Sequence, residues 1–188
     1  MQEQDLAALM QRHGKDRLIF HYCKDRYAGM LLAYAAGAGK TIRELKGTPF
    51  ARLLAKPALQ PVLSQSGNAK LSAEVLSVSW PPELEAYRVT LGAWGGPDAS
   101  GWKSGYYQTS RPGHNLVLQL NFSMKHDRRY RELIRPDHWH PFEHTSHPVQ
   151  GETRRTMAWA RIDLDLEVGE ALIEEIQTDW IREVRYFQ

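Results

Sequence analysis

Cysteine is nearly missing from this sequence, since Cys23 is the only one among 188 residues. A disulfide within the chain is therefore excluded, which fits a reducing compartment. Long apolar runs are missing as well: the longest, residues 28–39, is too short and too rich in glycine and alanine to cross a bilayer. The first five residues are acidic where a secretory leader would be basic. We expect a cytoplasmic protein with no membrane segment.

Internal repeats and low-complexity tracts are also lacking, and the composition, 42% hydrophobic and 24% charged, is typical of a globular protein. A chain of this length buries enough surface to fold without disulfides or metals, so we expect a single domain over residues 1–188. Residues 1–135 hold 19 Lys and Arg against 11 Asp and Glu, whereas residues 136–188 hold 5 against 11. This split indicates either a basic surface for an anionic partner or attraction between two parts of one fold.

The residue patterns divide the chain into a helical part, 1–79, and a β-rich part, 80–188. Apolar residues three and four apart predict a short opening helix and a longer helix over residues 20–36 that ends at Gly37. Alternating patterns predict strands at residues 87–91 and 115–122 and a hairpin from 156–166 and 171–180. Residues 125–134 between them are interpreted as a basic helix. We predict an α+β fold in which N-terminal helices precede a mostly antiparallel β-sheet with a C-terminal hairpin.

Residues 37–41, Gly-Ala-Gly-Lys-Thr, resemble the end of a phosphate-binding loop. Such a loop needs another glycine five residues before Gly39, between a strand and a helix, so that backbone N–H groups point at the phosphates. Here Tyr34 takes that position and the preceding segment is helical. We predict that no nucleotide binds at Gly39, Lys40 and Thr41, and that the glycines cap a helix.

Residues 138–147 hold four histidines and one glutamate. These are ligands that suit zinc and other first-row metals, but their spacing matches no known metal motif, Pro141 interrupts them and Pro148 follows them directly. A surface loop that changes charge near neutral pH is the better interpretation. Cys23 has cationic neighbours that favour a thiolate, yet no catalytic context surrounds it. We therefore predict no metal and no cofactor.

A compact basic patch with one tyrosine spans residues 125–135. A helix that presents several arginines on one side is able to contact phosphates, and Arg128 and Arg129 are the candidate contacts. The alternative is an ordinary solvated helix face. Nucleic acid and a host or phage protein are the two kinds of partner that the sequence leaves open.

The C-terminal hairpin alternates apolar and polar residues along both strands. Matching the apolar faces pairs Ile162 with Ile176 and leaves residues 168–170 as the turn, because a slip of one residue would turn the faces apart. This register predicts three pairs on the polar face: Asp163 with Glu175, Arg161 with Gln177, and Trp159 with Asp179. Since like charges across a ladder are unfavourable, we expect a cation near Asp163 and Glu175, supplied by Arg161, another basic residue, a metal or a ligand.

The second hairpin strand, Leu-Ile-Glu-Glu-Ile-Gln-Thr-Asp-Trp at residues 172–180, also carries a family resemblance. It resembles the Glu-Glu-Ile-Gln-Ser-Asp-Trp strand of a domain found in large polyvalent proteins of phages and mobile elements, and in short uncharacterised bacterial proteins. Thr178 stands where serine is usual, and Ile181 and Arg182 replace a common His-Gln pair. The resemblance implies a role in phage–host or mobile-element biology without naming a reaction.

The polar strand face is the predicted functional site. Several carboxylates are too polar for a dry core. The face is therefore either exposed to solvent, or it lines a cleft that forms a ligand or catalytic site. The candidate catalytic residues are Glu174, Glu175, Gln177, Asp179 and Asp163, and the candidate binding residues are Arg161, Trp159, His114, Arg128 and Arg129. Three functions follow as alternatives: an enzyme of unknown reaction, a nucleic-acid-binding module, and a protein-interaction or inhibitor module.

Overall fold

The structure is a computed structural model that describes residues 1–14, 18–77, 84–96, 109–135, 142–144, 146–149 and 155–186. It confirms the α+β class, with helices first and an antiparallel sheet later. None of the helices in these ranges is both long enough and apolar enough to cross a membrane. The chain divides into two compact units, residues 21–85 and residues 1–20 with 86–188.

The helices of residues 21–85 pack around a small aliphatic core. Ala28, Leu32 and Ala36 lie one turn apart on the buried face of one helix, where they meet leucines from the following segments. The predicted helix over residues 20–36 is too long at its start, because residues 18–22 form a strand. The helical elements are α2 (Arg26–Ala36), α3 (Ile42–Lys46), the 3₁₀ turns Ala51–Ala55 and Pro57–Leu59, α4 (Gln60–Ser66) and α5 (Ala73–Ser77).

Helix α2 ends at Gly37, as predicted, with a positive φ of 55° that glycine adopts without strain. The Lys40 ammonium donates to the carbonyl of Ala35 at 2.6 Å. Thr41 begins α3 with a capping box, in which its hydroxyl accepts from the Glu44 N–H and the Glu44 carboxylate accepts from the Thr41 N–H. These side chains serve helix ends, which supports the prediction that no nucleotide binds here.

The other unit is built on a five-stranded sheet whose strands follow the chain in order. The strands β2 to β5 pair antiparallel with their neighbours, and β1 lies beside β2. Three helices belong to this unit. The elements are α1 (Glu3–His13), β1 (Leu18–Tyr22), β2 (Glu85–Gly95), β3 (His114–Asn121), α6 (Met124–Ile134), β4 (Thr156–Asp165), β5 (Glu170–Gln177) and α7 (Asp179–Tyr186).

The hairpin exists where it was predicted, but its predicted register is wrong. Ile176 pairs with Ala160, and the turn spans residues 166–169 rather than 168–170. The register shifts between Arg161 and Ile162, so β5 carries one residue more than β4 at this point. The observed pairs on the polar face are Trp159 with Gln177, Arg161 with Glu175, and Asp163 with Leu172. Asp179 is no strand residue, because β5 ends at Gln177 and α7 begins at Asp179.

The two faces of the sheet are unlike in composition and in burial. We call one face of the sheet the polar face. Most side chains that β3 and β4 place on it are buried, although they are mainly polar or charged: Asn115, Val117, Gln119, Asn121, Thr156, Trp159, Arg161 and Asp163. On what we call the aliphatic face, none of the residues is buried: Val89, Leu91, Ala93, Leu116, Leu118, Leu120, Ala158, Ala160, Ile162, Leu164, Ala171, Ile173 and Ile176. Burial is thus the reverse of the usual arrangement, in which the apolar side of a sheet faces the core.

An aromatic cluster holds α7 against this unit. The Trp180 ring lies 4.7 Å from Phe122, 5.0 Å from Tyr130 and 4.9 Å from Phe142, measured between ring centroids. Its Nε1 also donates to the carbonyl of Thr156 at 2.9 Å. The first turn of α7, where Asp179 stands, is therefore anchored to β4.

Candidate functional site

The chemical centre of the polar face is a contact between Asp179 and His147, which are 32 residues apart in the chain. The imidazole Nδ1 lies 2.9 and 2.8 Å from the two carboxylate oxygens. Asp179 is 4% exposed, whereas the His147 side chain is 21% exposed. Because an ionised carboxylate only accepts hydrogen bonds, Nδ1 carries the proton and donates. The other ring nitrogen, Nε2, is left as the atom able to take up or release a proton.

Other polar groups orient the Asp179 carboxylate. Gln177 Nε2 donates to its Oδ1 at 2.9 Å, and Arg182 Nη2 donates to the same oxygen at 3.0 Å. The Trp159 ring lies 5.6 Å from the imidazole of His147, between centroids. Gln119 Nε2 donates to the Pro148 carbonyl at 2.8 Å, which holds the segment that bears the histidine on the sheet. The predicted residues Gln177, Asp179 and Trp159 therefore do lie together.

Arg161 and Glu175 form a second group on the same face. The guanidinium is 4% exposed, and its Nη2 lies 2.8 Å from the Glu175 carboxylate. The ring of Trp94 lies 5.4 Å from the guanidinium carbon, at a distance typical of a cation–π contact. The prediction that Asp163 and Glu175 face each other is wrong, because the register shift brings Arg161 opposite Glu175 instead.

Asp163 belongs to a third group, at the other end of β4. Its carboxylate is 1% exposed and contacts the Met1 amino group and the Arg111 Nε, both at 2.5 Å. Burial by itself would raise the pKa of Asp163, but the hydrogen bonds and positive charges of these two partners together hold that pKa below its usual value. His114 lies nearby, with its backbone N–H donating to the Met1 carbonyl.

A cavity of about 650 Å³ opens beside this third group, lined in part by Met1, Thr109 and His114. The predicted site residues are therefore spread over three groups along the polar face rather than gathered in one cleft. Glu174, at the register shift, has its carboxylate bound to the N–H and the hydroxyl of Ser110, both at 2.8 Å. Among the described residues, no hydrogen bond joins Glu174 to any of the three groups.

Glu143 is an additional buried carboxyl beside the dyad of His147 and Asp179. It accepts from the N–H of Thr156 and from the Arg155 guanidinium, with Nη1 at 2.6 Å. Burial raises the pKa of Glu143, and the negative charge of Asp179 adds to that increase, while the two donors oppose it. The charge of one buried carboxyl group therefore affects the protonation of the other at this end of the face.

Several buried polar atoms have no hydrogen-bond partner within the described ranges. They include the Nε1 of Trp159 and both side-chain ends of Asn115, which is 1% exposed. Such atoms are uncommon in folded proteins, because leaving a buried donor or acceptor unpaired costs about 1–3 kcal/mol. Trp159 Nε1 stands next to His147, so a polar molecule bound at the dyad would find a donor there.

Sequence reasoning missed His147 as a partner of Asp179, although it singled out the histidine-rich segment. The alternation of Asn115, Gln119 and Asn121 with leucines in β3 was the available signal, because it places polar side chains on the same face as Trp159. No local pattern predicts that a loop 32 residues upstream returns to the start of α7.

The remaining predicted residues lie elsewhere. Arg128 and Arg129 are exposed on α6, and Arg128 lies 3.9 Å from Glu132 in an exposed ion pair. In the part of the chain that the structure describes, no three histidine, cysteine or acidic side chains gather as metal ligands. His138 and His140, which belong to the histidine-rich segment, lie outside the described residues.

Residues 171–180, on which the family resemblance rests, contribute Gln177 and Asp179 to the dyad end and hold other parts of this unit together. Thr178, for example, donates from its hydroxyl to the Met157 carbonyl at 2.6 Å. The sequence matched no protein-family model, no curated protein and no solved structure.

Proposed function

We propose that this chain is an enzyme domain in which His147 acts as a general acid and base, positioned by Asp179. The observation that carries this proposal is the pairing of a buried carboxylate with Nδ1 of a histidine that remains partly exposed. A carboxylate in this position fixes the tautomer and the orientation of the ring, which leaves Nε2 as the proton acceptor.

The chemistry that such a dyad performs is proton transfer to or from a polar substrate. In this part of the site, the Thr156 and Thr178 hydroxyls already donate to Asn121 Oδ1 and to the Met157 carbonyl. We therefore assign the nucleophile to a water molecule or a substrate hydroxyl, which His147 Nε2 would deprotonate. The unpaired Nε1 of Trp159 is a donor that would help to hold such a substrate.

The biological setting is proposed from the resemblance of residues 171–180 to the strand of phage and mobile-element polyvalent proteins. The contacts of these residues support a function shared with those proteins, because they build the dyad end of the site. Gln177 and Asp179 contact each other, and Trp180 anchors them. We propose that the domain acts in phage–host or mobile-element biology through this site.

The tautomer is the most direct test of the site. In ¹⁵N NMR spectra of the protein labelled in its histidines, neutral His147 should show a protonated Nδ1 and an unprotonated Nε2. Asp179→Asn should abolish that preference. A neutral ring protonated on Nε2 in the wild-type protein would remove the basis of the proposal.

Catalysis is tested by screening generic esters, phosphodiesters and glycosides for hydrolysis and group transfer. His147→Gln should lower the rate with any active substrate by about 10²- to 10⁴-fold, as expected for loss of a general base. His21→Gln is the control, because His21 is an exposed histidine of β1 that makes none of the dyad contacts described above. Full activity in His147→Gln would contradict the proposal.

A further inference from the structure

The described residues of its own unit cover the aliphatic face of the sheet only in part. Ile176 is 73% exposed and Ile173 58% exposed on the edge strand β5, and Leu118 is 37% exposed on the central strand β3. The pairing registers also place Gly95 and His114 at one end of this face, and the other thirteen residues on it are apolar and carry no charge. The opposite face, in contrast, buries Arg161 and Asp163.

A large, continuous apolar patch at the surface of a protein marks an interaction surface. Four strands spaced at ~4.8 Å, with about eight residues of ~3.4 Å each, give a flat footprint of roughly 500 Å². Antiparallel sheets that face water on one side carry polar residues there, and this face does not, apart from its end at His114. We propose that the aliphatic face is the interface of a homodimer, in which it packs against the same face of a second copy of this chain.

The choice of a second copy follows from area and charge. Two such faces in contact bury roughly 1,000 Å² or more, since the projecting side chains add to the flat area, and this is the size at which specific interfaces begin. A face without charges offers nothing for a charged partner to match, whereas homodimer interfaces are the more apolar class. A second copy supplies a complementary flat sheet, and two sheets stack at a spacing of ~10 Å.

The experiment is sedimentation velocity of the full chain over about 1 to 100 µM, a range in which a dimer shifts with protein concentration. The wild-type protein should sediment as a dimer at the upper end. The double variant Ile173→Lys/Ile176→Lys should raise the dissociation constant by about 100-fold or more, because burying two lysines in an apolar interface is unfavourable. Leu133→Lys is the control, since Leu133 is 70% exposed on α6 and lies off the sheet.

A second measurement needs no substitution. The methyl resonances of Ile173 and Ile176 in the wild-type protein should be broadened by a soluble paramagnetic probe at low protein concentration and protected at high concentration. A wild-type chain that stays monomeric at ~100 µM would overturn the proposal. So would a dimer that the double variant leaves intact, or methyl groups that remain accessible to the probe in the dimer.

Discussion

Arg161 and Glu175 lie directly opposite each other on β4 and β5, where the guanidinium donates from Nε and Nη2 to a single carboxylate oxygen at 3.0 and 2.8 Å. The arginine is almost fully buried, while Glu175 is 31% exposed. A buried guanidinium needs a counter-charge and hydrogen-bond acceptors, since desolvation of an isolated charge is costly. Glu175 is therefore primarily the partner of Arg161.

Glu175→Gln should destabilise the protein, because it removes the charge opposite the buried Arg161. We expect the free energy of unfolding to fall by roughly 2 kcal/mol, measured by urea denaturation. Glu174→Gln is the control, because that carboxylate, among the residues the structure describes, binds the N–H and the hydroxyl of Ser110 at the surface and no cation. Equal losses in both variants, or no loss in Glu175→Gln, would contradict the assigned pairing.

Asp163 should contribute stability that disappears in acid. Its pKa in the folded protein is below the ordinary value of 3.8, so the contribution is complete above that value and is lost as the pH falls through the lower folded pKa. Asp163→Asn should therefore be less stable than the wild-type protein near neutral pH, by about 3 kcal/mol. The difference should shrink in urea titrations as the pH falls below about 4.

The control for this pH dependence is Asp165→Asn. The Asp165 side chain is 37% exposed, and its Oδ2 lies 3.7 Å from Nη1 of Arg111, a longer distance than the Asp163 contact. We expect that exposed pair to contribute less than about 1 kcal/mol. A constant difference between Asp163→Asn and the wild-type protein at all pH values would show that Met1 and Arg111 do not hold the Asp163 carboxylate ionised.

Helix α6 is the place to test for nucleic acid. If its arginines contact phosphates, the affinity should fall steeply with salt, because counterions are released on binding. Charge reversal of Arg128 and Arg129 should then weaken binding to all sequences alike, by about tenfold or more in gel shifts at ~50 mM salt. The absence of any shift for the wild-type protein at this salt concentration would exclude α6 as a nucleic-acid contact.

Local patterns were sufficient for the longer elements. The alternation in residues 156–166 and 115–122 predicted β4 and β3, and the interpretation of residues 125–134 as a basic helix agrees with α6. Gly37 ends α2 because it adopts a positive φ without strain. The strand β1 was missed, because its five residues run directly into the helical pattern of α2 and carry no alternation of burial.

The candidate site was predictable only in part. The sequence indicated a polar face with Trp159, Gln177 and Asp179, and these residues do lie together. His147 could not be paired with Asp179, because the contact depends on the path of a loop 32 residues upstream. The register could not be derived from face matching either, since the turn lies at residues 166–169 and one extra residue at the shift beside Arg161 changes every pair beyond it.

The sequence by itself determined the longer elements and the division of the sheet into a polar and an aliphatic face, because both follow from periods of 3.6 and 2 residues. Only the tertiary structure decided which face is buried. The chain start, the turn before β3 and the segment around His147 lie on the polar face, where Met1, Arg111 and Pro148 bond to strand side chains. Hydrogen bonds and ion pairs there compensate the buried charges, and the aliphatic face is left for a partner.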